Sequence, residues 1–174
     1  IGPTGILFSS HGSGSLMIET QSLQQSQTNQ FISQAFSEVL GVQSPVDSHA
    51  DFASEPFQEI WAGLHSRFGD LGCSGTAFRV GQAMFKYGLQ DFGHISGSSG
   101  VEFRLSPTRT KLWLSLQMVE EIIETFPGHE VELFDEGDHF SIQIFGRSTD
   151  CLYGARLAMD QIMRGMTQAA LDWA

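Results

Sequence analysis

Two strictly alternating runs, Glu130-Val131-Glu132-Leu133-Phe134 and His139-Phe140-Ser141-Ile142-Gln143-Ile144-Phe145, flank the turn-forming Asp135-Glu136-Gly137-Asp138. A period of two sends successive side chains to opposite faces, so the stretch reads as an antiparallel hairpin. Phe140, Ile142 and Ile144 then share one strand face, while Val131 and Leu133 alternate with Phe134. A hairpin this short cannot stand alone in water and needs helices to cover its apolar side.

The helices are legible on both sides of it. Phe31, Ile32, Ala35, Phe36, Val39 and Leu40 recur at helical spacing and predict a first helix from about Gln24 to Leu40, with Gly41 at its stop. Ser54-Glu55-Pro56 opens a second helix running to about Phe68, with Phe57, Ile60, Trp61, Leu64 and Phe68 along one stripe. The glycines between Gly69 and Gly75 predict a break, and a third helix follows from about Thr76 to Phe92. Gly81 and Gly88 inside it each cost roughly 1 kcal/mol against Ala, which points to close approach by a neighbouring helix or a ligand. Val101 to Leu105 alternates as a short strand ended by Pro107. Leu112, Leu116, Val119, Ile123 and Phe126, broadened by Trp113 and Ile122, form the face of a fourth helix that Pro127-Gly128 stops. The last helix spans Asp150 to Trp173 with Asp150 as its cap. Before all of these, Gly5 to Glu19 reads as an N-terminal hairpin around His11-Gly12-Ser13-Gly14, or else Ser9 to Ser15 is a cloning remnant. Val42 to Ala53 is a loop long enough to act as a lid, and Gly93 to Gly100 a flexible link. Four to five helices with antiparallel hairpins predict one α+β domain over residues 1–174, its hairpin at 1–20 and its core at 24–174.

Charge narrows the partners. Acidic side chains outnumber basic ones 20 to 9, a formal charge of -11, which repels nucleic acid and anionic membrane surfaces. No apolar run reaches the length of a membrane span, so a cytoplasmic protein is expected. Cys73 and Cys151 form no CxxC pair, and the six histidines show no paired metal spacing. His65, on the second helix beside Leu64, faces either solvent or core, and an axial haem role would need it to face an apolar cleft. No GxSxG, HExxH, phosphate-binding loop or dinucleotide turn occurs, so neither an enzyme nor a cofactor is expected. Fourteen Phe in a chain this size leave apolar wall to spare for a pocket.

Arg79-Val80-Gly81-Gln82-Ala83, Phe85-Lys86-Tyr87-Gly88, Phe103-Arg104-Leu105 to Pro107, the acidic hairpin and a Cys-led terminal helix together resemble the 4-vinyl reductase, or hydrocarbon-binding, domain family. The resemblance covers roughly Thr28 to Ala174. It implies the ligand-binding fold shared by nitric-oxide sensors and a Golgi-transport subunit, with an apolar pocket between helices and an antiparallel sheet. In the phenol-sensing relatives a zinc is held by a cysteine at the start of the last helix and by ligands further on. Cys151 matches that first position, but the others would follow Ala174, so no zinc is expected in residues 1–174.

The reading that results is a non-enzymatic sensor or carrier for a small apolar or aromatic ligand. Its expected wall is Phe78, Phe85, Phe103, Trp113, Leu116, Phe140, Ile142 and Tyr153. Trp113 and Tyr153 supply the hydrogen-bond donors of that set, with His139 or Arg79 as further polar contacts. Two alternatives stand beside it: a homodimer pairing through Phe31, Phe36, Phe57 and Trp61, and an accessory protein for tetrapyrroles.

Overall fold

The longest element shows how local signals and packing divide the work. Ser54 accepts the first helical bond from the Gln58 N–H at 3.1 Å, and the helix then runs from Glu55 to Phe92. A computed structural model describes residues 30–41, 54–92, 103, 105–126, 128–146 and 153–174. In chain order the elements are α1 (30–40), α2 (Glu55–Phe92), α3 (Thr108–Glu124), β1 (His129–Asp135), β2 (Phe140–Gly146) and α4 (Tyr153–Trp173). The expected N-terminal hairpin, the 42–53 loop, the 93–100 link, the Asp150 cap and Cys151 lie outside the described residues.

α1 ends where its sequence says it should. Gly41 takes φ 68° and its N–H donates to Ser37 O at 3.1 Å, which closes the last turn. In α2 the expected break is far narrower than the glycine cluster suggested. Only Gly69 leaves helical geometry, at φ 66° and ψ -173°, and the chain from Asp70 onward is helix again. A left-handed φ at a residue without a Cβ needs one position, not seven. Gly72 and Gly75 stay helical because this turn is held from outside, through Cys73, which is fully buried. Its thiol faces the carbonyls of Trp61 and Gly154 at 4.0 and 3.9 Å.

α4 packs along the second half of α2 more closely than large side chains would permit. A Cβ on Gly81 would collide with the carbonyl of Ile162, and one on Gly165 with the carbonyl of Phe78. The two backbones therefore touch, flanked by buried Ala77, Ala155, Ala158 and Ala170. Gly88 is likewise approached, by Ile122 of α3, whose Cδ1 would stand 2.7 Å from a Cβ there. The neighbour that these glycines announced in the sequence is in both cases a helix. α1 closes the other end with an aromatic cluster: Phe36, Phe57 and Trp61 lie 5.8 to 6.0 Å apart, all fully buried with Phe31. Those four side chains were the candidate dimer face. All four are buried in the chain's own core, while Phe68 further along α2 stays 54% exposed.

Of the strand expected over Val101 to Leu105, the structure describes Phe103 and Leu105, and neither is extended. Both have helical backbone, and the Ser106 N–H donates to Phe103 O at 3.1 Å in a tight turn. Phe103 instead stacks on Trp173, centroids 4.3 Å apart and 19° between planes, while Leu105 is left 80% exposed. After it Pro107, at φ -56° and ψ 148°, leads into α3, which buries Leu116, Met118, Val119, Ile122 and Ile123. Buried Ser115 satisfies its hydroxyl on Lys111 O at 2.7 Å.

The hairpin forms in the expected place. β1 and β2 pair antiparallel with Val131 opposite Ile144, Leu133 opposite Ile142 and Asp135 opposite Phe140, so both strands turn their aliphatic side chains to one face. β1 packs on α3, and no comparable packing joins β2 to α4. Four helices and one two-stranded antiparallel sheet make the described residues α+β and mostly helical.

Candidate functional site

α4 carries two stripes at helical spacing. Ala155, Ala158, Ile162, Gly165, Met166 and Ala170 face α2 and are buried. The adjacent stripe, Tyr153, Arg156, Leu157, Asp160, Met163, Arg164, Thr167 and Leu171, faces β2 across three hollows of about 430, 460 and 350 Å³. Ile144, Asp160 and Met163 line both the first and second, and Ile142, Thr167 and Leu171 both the second and third. Shared walls make them one trough, open along its length, between the inner face of β2 and the outer stripe of α4. Each hollow is within the size range of small-molecule sites.

The two ends differ in chemistry. At the loop end the ring of Phe140 lies under the guanidinium of Arg109, 4.3 Å away, and is backed by Trp113 at 5.5 Å. Arg109 also pairs with Asp135. The Gly137 N–H donates to the same carboxylate at 2.9 Å, and that bond first, then Arg109, holds Asp135 below the usual carboxylate range. His139, on the rim, sits between Asp138 (2.7 Å) and Glu136 (3.3 Å). At the other end stand Tyr153 and Arg156. The Tyr153 hydroxyl donates to Asp70 Oδ2 at 3.5 Å, and Asp70 Oδ1 is 2.6 Å from His65 Nε2. Midway, Asp160 is held by Arg164 at 3.5 Å. Arg156 has no ion-pair partner among the described residues.

Of the expected wall, Phe78, Leu116, Phe140, Ile142 and Tyr153 line the trough. Trp113 stands behind Phe140 and lines none of these hollows. Phe85 and Phe103 are elsewhere: both pack on Trp173, at 6.3 and 4.3 Å, in the seam where α2 meets the end of α4. Trp173 was overlooked as their partner because it is the last helical residue. Arg79 points to solvent away from the trough, whereas His139 is on its rim. Among the residues missed in the sequence, Arg109 lies on α3 and Ile144 on β2, while Arg156, Asp160, Met163, Arg164, Thr167 and Leu171 carry one available signal. A second stripe of mixed apolar and charged residues runs beside the small-residue stripe of α4.

Other chemistry is muted. Burial, then the Asp70 charge, pushes the Cys73 thiol above its ordinary value, so it stays protonated and acts as a small hydrophobe. His65 has its ring against Asp70 and edge-on to Tyr153, centroids 5.3 Å apart, and lines none of the hollows. Among the described residues no three His, Cys, Asp or Glu side chains gather in a way that could hold a metal, and no helix is long and apolar enough to cross a membrane. No family model matches the chain, and no match to it was found among curated proteins or solved structures. The hydrocarbon-binding family therefore stands as a resemblance carried by the residues quoted for it.

Proposed function

We propose that this chain is a non-enzymatic binding or sensor domain for a small hydrophobic ligand, which lies in the trough between α4 and β2. The observation that carries the reading is that trough, where partly buried Ile142 and Ile144 of β2 and exposed Leu171 of α4 meet over buried Met163 and leave small-molecule-sized space between strand and helix. Polar groups stand at both ends and, midway, as the Asp160–Arg164 pair beside Thr167 and Gln168, so apolar walls can supply affinity and polar contacts orientation. The resemblance to hydrocarbon-binding domains points the same way, and the fold it implies is part of the proposal. A free, buried cysteine and a strongly acidic chain fit work in the cytoplasm.

Signalling would follow by population shift. A ligand that fills the trough ties β2 to α4 and stabilises the arrangement in which they face each other, by about 2.7 kcal/mol at 100 times its dissociation constant. Native mass spectrometry of the protein as purified, followed by thermal melting with phenols and long-chain amphiphiles, tests this. A retained mass released on denaturation, or a melting temperature raised by a few degrees, is expected. No adduct and no shift with any compound would overturn it.

A further inference from the structure

Resting on the trough reading, we infer that the occupant is a single-chain carboxylate, its head group at Arg156 and its alkyl chain laid along α4 and β2 towards Phe140. Three arginines line the trough, and two are already committed. Arg109 is paired with Asp135 and stacked on Phe140, and Arg164 is paired with Asp160. Arg156 pairs with no described residue, in a chain with 20 acidic side chains to 9 basic ones. Asp160 lines the same hollow but is held by Arg164, so among the described residues the Arg156 guanidinium, at the mouth of the groove, has its charge available for an incoming anion. The acids that do line the trough, Asp160 and Asp138, are engaged by Arg164 and His139.

Shape agrees with charge. From Arg156 to Leu171 the helix spans about 22 Å at 1.5 Å per residue, and the seven residues of β2 span about 23 Å. Between the ends Ile144, Met163, Ile142 and Leu171 alternate with Thr167, Gln168 and the Asp160–Arg164 pair, whose two charges hold each other. An extended acyl chain matches that length and polarity, whereas a lone phenol ring would occupy one hollow of the three. The net charge of -11 disfavours the other source of such a group, an anionic bilayer.

The test is calorimetric titration of the 174-residue chain with dodecanoate and with dodecanol, both below micelle-forming concentration. It is repeated on Arg156→Gln and on Arg79→Gln, an exposed arginine that lines none of the hollows. Dodecanoate is expected to bind about fivefold tighter than dodecanol, a gap of the size an exposed ion pair supplies. Arg156→Gln should close the gap while leaving dodecanol unchanged, and Arg79→Gln should keep it. Equal binding of both compounds overturns the head-group assignment and leaves the trough reading standing. So does a gap that survives Arg156→Gln or vanishes in Arg79→Gln. Failure of both compounds to bind overturns the inference, and the trough reading then stands or falls with the phenols. Cosedimentation with phosphatidylglycerol vesicles, without binding of free dodecanoate, would replace it with a membrane contact.

Discussion

The inner and outer faces of α4 lie on one helix and solve opposite problems. Towards α2 the helix presents Ala155, Ala158, Gly165 and Ala170, and the two backbones meet at Gly81 and Gly165. Towards β2 it presents Leu157, Met163, Thr167 and Leu171 among three charged residues, and the sheet stays back. Small residues let helices approach until every gap closes. Long ones on the other face, with a strand supported by α3 rather than by α4, leave space. The difference teaches where this domain has surplus stability and where it has room.

The closest contact should be the most fragile. Gly81→Ala places a methyl against the Ile162 carbonyl, and neither backbone can rotate away as a side chain would. The helices must part, at about 3 kcal/mol or more, which for a chain of this length lowers the melting temperature by on the order of 10 °C. Calorimetric melting of Gly81→Ala beside Gly63→Ala, where a Cβ meets open space, reads the effect directly. A Gly81→Ala protein that melts with the wild type would mean that the two faces do not differ in packing.

Two aliphatic residues on opposite faces of α4 give the next comparison. Ile162 is fully buried on the inner face, and Leu171 is 42% exposed on the outer one. Ile162→Ala should cost about 3 kcal/mol by cavity formation, and Leu171→Ala less than about 1 kcal/mol because half its surface is already in water. Urea unfolding of the two variants measures both. Equal losses would show that the trough is closed in solution.

Filling the open side should leave stability alone and cost the ligand. Thr167 lines two of the three hollows and its hydroxyl donates to Met163 O at 3.0 Å, a local bond the fold does not require. Thr167→Phe puts a ring into the space between Ile142 and Leu171, with a change in unfolding free energy of about 1 kcal/mol or less. Thermal stabilisation by any amphiphile that raises the wild-type melting temperature should be lost. A variant that still responds would move the site out of the trough.

How much of this could be read from the chain follows the same division. The hairpin was legible because Val131, Leu133, Ile142 and Ile144 obey a period of two around a turn, and the register then pairs them. Helix faces were legible wherever large apolar residues recur, as in Phe57, Trp61 and Leu64. Glycine was misread at Gly72 and Gly75, since propensity penalises it alike whether a neighbour holds the turn or not. Phe103 and Leu105, read as strand, have helical backbone, because alternation over five residues carries no knowledge of a partner strand. In the site, Phe140, Ile142, Leu116, Phe78 and Tyr153 were found by their bulk. Phe85 and Phe103 look the same in sequence and differ only in having Trp173 to pack on. The arginines of the trough escaped because nothing local distinguishes Arg156 from a solvated helix residue. Only the absence of a described partner does, and that is a property of the assembled molecule.

Acid should loosen one face before the other, and this is the smallest effect. Asp135, which meets Arg109 across the hairpin and α3, is held below the usual carboxylate range by the Gly137 N–H and then by Arg109. A carboxylate whose folded pKa is depressed adds stability that is present above its unfolded value, near ~3.9, and is lost as pH falls through the lower folded one. Glu38 behaves the same way at the far end, where Lys86 and Tyr87 donate to it at 2.8 and 2.6 Å and tie α1 to α2. Global unfolding in acid therefore reports both. Hydrogen exchange separates them: as pH drops below ~4, protection in β1 and β2 should fall while amides in the α2–α4 seam hold. Asp135→Asn should lower hairpin protection at neutral pH, remove its acid dependence and leave the Glu38 region unchanged. If hairpin and seam instead lose protection together at each pH, the sheet is fixed to α4 as firmly as α2 is, and the trough is no more adaptable than the core.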